Sequence, residues 1–282
     1  VQACGDGWSS GRSASLRRTG QGSAPRRAGR PSDPGGAVIW GLDVSHWQTK
    51  PAAVPWKGRA FGCVRITWGV EGVDELADEH MARALHAGVQ LLIAYHYQKD
   101  QPGSIQADHF HRRRRELEAT FGPLGCANDL EDMIGPDGKP VPWDFPRYQA
   151  STAAFVGRHR ELTPRPLAIY GNPHDLQRYA VADRIADEPL WLADWLAPYP
   201  VPPPWKRWTI LQFKGGGLTG FDENRYDGTI EEMRARFLPD AVHPLTYDSL
   251  GPVTTAVRAA EGRGATVETF VSRDEGPVID GR

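Results

Sequence analysis

The chain has 282 residues, a formal net charge of −2 and 40% hydrophobic residues, with ten tryptophans. That is enough apolar material for one large α/β barrel or two smaller domains, and the near balance of 33 basic and 35 acidic side chains gives no reason to expect nucleic acid as a partner. No run approaches the ~18–20 apolar residues of a membrane span, and no basic-then-apolar signal segment is visible in the chain as given.

Cys4, Cys63 and Cys126 are too few and too scattered for a zinc site or a disulfide framework, and they suit folding in a reducing compartment. Residues 1–36 are rich in Gly, Ser, Arg and Pro, with Trp8 and Leu16 among their few large apolar side chains. So little apolar surface cannot offset ordering entropy, so a flexible basic arm is expected. Its arginines, 12, 17, 18, 26, 27 and 30, suit an anionic polymer such as a cell wall or nucleic acid, or mark a leader with no role.

The folded part begins at Ala37, where an apolar run leads to Asp43 and then to Ser45-His-Trp-Gln48. Apolar strand-like runs then alternate with helical patterns. Strands are predicted at 62–67, 89–97, 124–131, 166–170, 190–195 and 209–213, and helices at 74–87, 105–120, 145–161, 174–179 and 230–237. Alternation of this kind implies parallel β/α units wound into one sheet or barrel. The run Arg112 to Arg115 spreads around its helix and reads as a solvated face. His109 and His111, two residues apart, cannot converge on one metal, and no metal or cofactor is expected. Pro198 to Trp205 reads as a stiff connection, and 220–228 as a loop rich in carboxylates. Beyond Phe237 a short helix at 254–261 and a strand at 265–272 are too little for a separate core.

The chemistry concentrates at Leu124 to Glu131, where an apolar run ends in Asp129-Leu-Glu131. Alternate side chains on a strand share a face, so the two carboxylates emerge together with Leu130 turned away. In α/β barrels the C-terminal strand ends form the open face, and Asp43, His96, Asp129, Glu131, Tyr170 and Asp194 all fall at such ends. Asp222 is a candidate further acid from the 220–228 loop. Crowded carboxylates resist joint ionisation, so one stays protonated near neutral pH while its neighbour is charged, which is the pairing glycosidic cleavage uses. Glu131, with the longer reach, is expected to be the acid. Trp47, Tyr95, Tyr97, Tyr170, Trp191 and Trp195, with Asp194, are candidate substrate-binding residues, aromatic faces being suited to sugar rings. About half of these aromatics are expected to be ordinary core.

With these residues in hand, the chain resembles the family 25 glycoside hydrolases, the lysozymes that cut peptidoglycan between N-acetylmuramic acid and N-acetylglucosamine. The resemblance covers about residues 39–237. It rests on G-L-D-V-S-H-W-Q at 41–48, A-Y-H-Y at 94–97, D-L-E at 129–131, A-I-Y-G-N at 168–172, L-W-L-A-D-W at 190–195 and F-D-E-N at 221–224. It implies a single irregular TIM-like (β/α) barrel over 37–238, between an arm at 1–36 and an extension at 239–282. It further implies an acidic cluster of Asp43, Asp129, Glu131 and Asp222, with Glu131 as general acid and Asp129 assisting the substrate's 2-acetamido group, with retaining and inverting outcomes both open. The implied protein is a monomer acting on the cell wall, secreted or phage-released, with no membrane partner. Alternatives are a non-catalytic wall-binding barrel and a hydrolase of another N-acetylhexosamine glycan. One departure stands out: where the family shows an acidic T-E-G-type stretch, this chain has Arg65-Ile-Thr-Trp-Gly69, which bears on the substrate subsites.

Overall fold

The computed structural model describes residues 37–134, 139–216 and 220–240. The expected arm and the elements expected at 254–261 and 265–272 lie outside them. The strands are β1 (Val38–Val44), β2 (Phe61–Trp68), β3 (Gly72–Val73), β4 (Leu91–Tyr97), β5 (Gly125–Asp129), β6 (Met133–Ile134), β7 (Pro140–Val141), β8 (Leu167–Gly171), β9 (Leu190–Ala193), β10 (Ile210–Lys214) and β11 (Asp222–Asp227). The helices are α1 (Ala77–His86), α2 (Gly103–Phe121), α3 (Phe145–Leu162), α4 (Pro173–Tyr179), α5 (Ala182–Ile185) and α6 (Ile230–Phe237). Every strand and helix predicted between 62 and 237 is present, with ends shifted by a few residues.

Eight strands close a barrel in the order β1-β2-β4-β5-β8-β9-β10-β11, with β11 returning to β1. Its pairings are parallel except those of β11, which runs antiparallel to both β10 and β1. Strand β11 corrects the sequence reading, which took 220–228 as a loop. Its run D-E-N-R-Y-D lacks the apolar alternation that marks a strand. The side chains that alternate on it are polar because one face lines the barrel interior beside Asp43.

The two-residue period sorts each strand into layers. Phe61, Cys63, Leu91, Ile93, Ala127, Ala168 and Ile210 form one buried cluster, which fills the barrel. Leu42, Val64, Ile66, Leu92, Ala94, Cys126 and Leu130 belong to a second cluster, shared with Met81, Phe110 and Phe155 of the surrounding helices. Gly41 admits the filling, since a Cβ there would lie 2.5 Å from the Phe61 ring. Helix α6 brings Met233 and Phe237 into the same inner cluster, at the end of the barrel where the parallel strands start. That leaves only the opposite end open.

The arginine run corrects another expectation. Arg114 is buried, donating to His111 Nδ1 at 3.2 Å and Glu118 Oε1 at 2.7 Å, and Arg113 pairs with Asp78. Arg113 thus ties α2 to α1 and Arg114 braces its own helix, while Arg112 and Arg115 are exposed as the sequence reading expected. The proline-rich stretch connects β9 to β10, with Trp205 buried and its Nε1 donating to Glu188 O at 2.9 Å.

Candidate active site

At the C-terminal ends of the parallel strands the barrel opens into a cleft of about 760 Å3, whose lining includes Asp43, Asp129, Glu131, Asp175 and Asp222. All four carboxylates expected from the sequence meet here. Asp43 ends the inner face of β1, and its register partner across the barrel seam is Asp222 on β11. Asp129 ends β5, and Glu131 lies just past it on the same side, while Leu130 is fully buried in the outer layer. The backbone beyond β5 is pinned from three directions: Trp143 Nε1 donates to Glu131 O at 2.8 Å, Tyr97 Oη to Asp132 O at 3.2 Å, and Asp132 N to Asp175 Oδ2 at 3.3 Å.

Two amides hold Asp43. Gln212 Nε2 and Asn224 Nδ2 donate to its Oδ2 at 3.0 and 2.6 Å. Each amide is in turn oriented by an indole. Trp191 Nε1 donates to Asn224 Oδ1 at 2.8 Å, and Trp195 Nε1 to Gln212 Oε1 at 3.2 Å, where Tyr170 Oη also donates at 3.3 Å. With their oxygens occupied, both amides must present N–H groups to Asp43.

Burial and mutual repulsion make the whole set weaker acids than ordinary carboxyls. Burial first, then Asp175 and Asp222, push the Glu131 carboxyl up to about 7, with the neighbouring Tyr170 hydroxyl opposing them. Burial and then Glu131 raise Asp129 well above the ordinary carboxylate range, while Arg65 opposes them. Asp43 is raised by burial and by Asp222, and Asp222 by burial. A carboxyl that stays protonated near pH 7 beside partners of the same kind is equipped to donate a proton to a leaving oxygen.

The candidate substrate-binding residues divide. Trp47 is 74% exposed on the cleft wall, and Tyr97 also lines the cleft. Tyr95 and Tyr170 form its floor, both nearly buried, against Trp191, at centroid separations of 5.8 and 4.5 Å. Trp191 lies at the base of the cleft lining, 1% exposed, where its indole orients Asn224. Trp195 and Asp194 are not among the cleft-lining residues. Trp195 is 61% exposed and reaches the site only through Gln212, while Asp194 Oδ1 accepts from Leu196 N at 3.0 Å. His96 points to the outer layer, between Thr67 Oγ1 at 2.8 Å and Gln106 Oε1 at 3.1 Å.

Several site residues escaped the sequence reading. Asp175, in the first turn of α4, accepts from Asn172 Nδ2 at 2.7 Å and faces Glu131 across the cleft. Gln212 carried a signal as the polar residue inside an apolar strand run, whereas Asn224 could be placed only once β11 was seen as a strand. Asp74, fully buried, accepts from Arg65 Nε at 3.0 Å and from His46 N at 2.8 Å.

A closed α/β barrel with a ring of coupled carboxylates over an aromatic floor defines a glycoside hydrolase of the carboxylate type. Residues 42–220 match the profile described as glycosyl hydrolases family 25, and the chain belongs to that family. Among solved structures it is similar to a family 25 lysozyme from Aspergillus fumigatus at 24% identity, covering 71% of this chain and 99% of that one with a TM-score of 0.58. A bacterial lysozyme from Streptomyces coelicolor matches at 24% identity over 72% and 98%, with a TM-score of 0.59. A family 25 glycosyl hydrolase from Bacillus anthracis matches at 18% over 71% and 94%, with a TM-score of 0.57. These likenesses establish the barrel. No curated protein matches significantly.

Proposed function

We propose that the protein is a lysozyme that cleaves the β-1,4 bond between N-acetylmuramic acid and N-acetylglucosamine in peptidoglycan, with the barrel, 37–238, as its catalytic domain. Family membership supports the substrate class, and family 25 lysozymes are the structures it resembles. The observation that carries the chemistry is the pairing of Asp129 and Glu131 on one face of the cleft, with Glu131 titrating near 7.

In this reading Glu131 gives its proton to the glycosidic oxygen as the bond to the anomeric carbon breaks. The substrate's 2-acetamido carbonyl oxygen closes on that carbon from the other side, and Asp129 holds the acetamido N–H and stabilises its growing positive charge. Glu131, now a carboxylate, takes a proton from water as the water opens the cyclic intermediate. Asp43 and Asp222 supply the surrounding negative field, and the two amides fix Asp43 in place.

The test is mass spectrometry of digested peptidoglycan after borohydride reduction. Reduced N-acetylmuramic acid at the new ends is the expected result; reduced N-acetylglucosamine would reassign the bond. Binding without new reducing ends would make the barrel a wall-binding module, and cleavage of chitin oligomers in preference to peptidoglycan would make it a hydrolase of another N-acetylhexosamine glycan.

A further inference from the structure

The acids of the cleft come from β1, β5, β11 and the start of α4; the adjacent β2–β4 wall is different in character. Arg65 continues the inner face of β2 after Phe61 and Cys63 and lies in the cleft lining, its Cζ 5.1 Å from the Trp68 ring centroid. Asp74 fixes its Nε, and its Nη2 donates to His46 Nδ1. Arginine only donates, so His46 carries its ring proton on Nε2. No described residue accepts from Arg65 Nη1.

One residue past Trp68, Gly69 is at φ +55°, and a Cβ there would lie 3.1 Å from the Lys99 Cδ, so the lysine stem runs along this turn. Lys99 lines the cleft, and its ammonium has no ion-pair partner among the described residues. His46, Trp47 and Trp68 also line the cleft, His46 packing against Trp47 at a centroid separation of 4.6 Å and edge-on to Trp68 at 5.5 Å. Aromatic surface beside two cations suits a sugar ring that bears a negative charge.

We propose that Lys99 and Arg65, beside the Trp68 ring, form a carboxylate-accepting subsite on the β2–β4 wall of the cleft. The inference rests on the glycan reading of the same cleft and adds to it what the glycan must carry. Asp74 already answers the charge of Arg65, so a neutral N-acetylhexosamine chain would leave the Lys99 ammonium without a counter-charge. A muramyl residue has a lactyl carboxylate when its stem peptide is absent, and carboxylates on the stem when it is present.

The test measures affinity by calorimetry on the Glu131→Gln protein, which keeps the groove. The ligands are muramyl oligosaccharides with free lactyl carboxylates, the same oligosaccharides with those carboxylates amidated, and peptide-bearing ones. A charge-assisted contact predicts about tenfold tighter binding of the free over the amidated form, falling to about parity in Glu131→Gln/Lys99→Gln. Tighter binding of the peptide-bearing form, lost with Lys99→Gln, would place the carboxylate on the stem peptide and uphold the subsite. Equal affinity for free, amidated and peptide-bearing ligands, or a preference that Lys99→Gln leaves untouched, overturns it. Absence of hydrolysis by the unaltered protein would sink the lysozyme reading while leaving these affinities to decide the subsite.

Discussion

Glu131 is where charge and chemistry meet. Its carboxyl, raised to about 7, is protonated through the mildly acidic range and loses its proton as pH rises past neutrality. Activity limited by proton donation should therefore fall about tenfold per pH unit above roughly 7, and a kcat/KM profile on solubilised glycan strands checks it. The acid side belongs to its coupled partner: Asp129 is also raised, so the acid limb should lie above the ordinary aspartate range. Glu131→Gln, which cannot donate, should lose about a thousandfold or more in kcat, in line with removal of a general acid. Product stereochemistry tests the role of Asp129, since substrate assistance releases the β anomer first in proton NMR. The α anomer would make Asp129 the base of an inverting path. This pair was legible in the sequence because strand parity alone puts both carboxylates on one face. Asp74 and Asp175 were not, since each acts from a loop or first helical turn whose direction no local periodicity reveals.

At the scale of elements, β11 decides how the barrel closes and how Asp43 is held. It was the least legible strand, because placing Asp222, Asn224 and Tyr226 on its inner face leaves it without the apolar run that identified β2, β4 and β8. The parallel strands were readable since both their faces are buried and their sequences are apolar. Replacing Asn224 by Leu strips Asp43 of a 2.6 Å donor and Trp191 Nε1 of its acceptor, both buried. Leaving the indole unpaired and Asp43 with Gln212 as its remaining donor should cost about 1–3 kcal/mol and displace Asp43, so kcat should fall along with the urea midpoint. A Gln212→Leu protein should behave alike through the opposite amide. Thr229 supplies the contrast. Its hydroxyl accepts from Glu232 N at 3.2 Å, and Glu232 Oε2 accepts from Thr229 N at 2.8 Å, closing a capping box at the start of α6. Thr229→Ala should cost about 1 kcal/mol of stability, read as a lower urea midpoint, with kcat unchanged.

For the whole molecule, the same burial that tunes the cleft sets how stability varies with pH, and two groups of side chains pull in opposite directions. The cleft carboxyls have raised folded values, so the stability they contribute is complete below the unfolded range of about 4–4.5 and is lost as pH rises through their folded values. Glu131 alone, shifted from 4.5 to about 7, costs about 3 kcal/mol once ionised. Buried histidines, His80 among them, do the reverse. His96, His111 and His159 are held down to about 3, 2 and 4, chiefly by burial, and His111 Nε2 meets His159 Nδ1 at 3.0 Å between α2 and α3. Their contribution is complete above the unfolded value of 6.5 and is lost as pH falls toward those folded values. Between about 4.5 and 6.5 the two slopes oppose each other, which flattens the curve. Below that window the histidines still lose their contribution, joined by Glu223 and Asp240, whose carboxyls are lowered by basic partners, so stability must drop steeply. Above it the histidines are silent and the remaining ionisation of the cleft lowers stability gently. Thermal melts across pH should therefore show a plateau in the mildly acidic range, a steep acid edge and a shallow decline past neutrality. Glu131→Gln should raise the melting temperature at pH 8 and leave it unaltered at pH 4, because it removes a charge that is costly only when ionised. A variant that melts lower at pH 8 than the unaltered protein would show that Glu131 stabilises the fold instead of straining it.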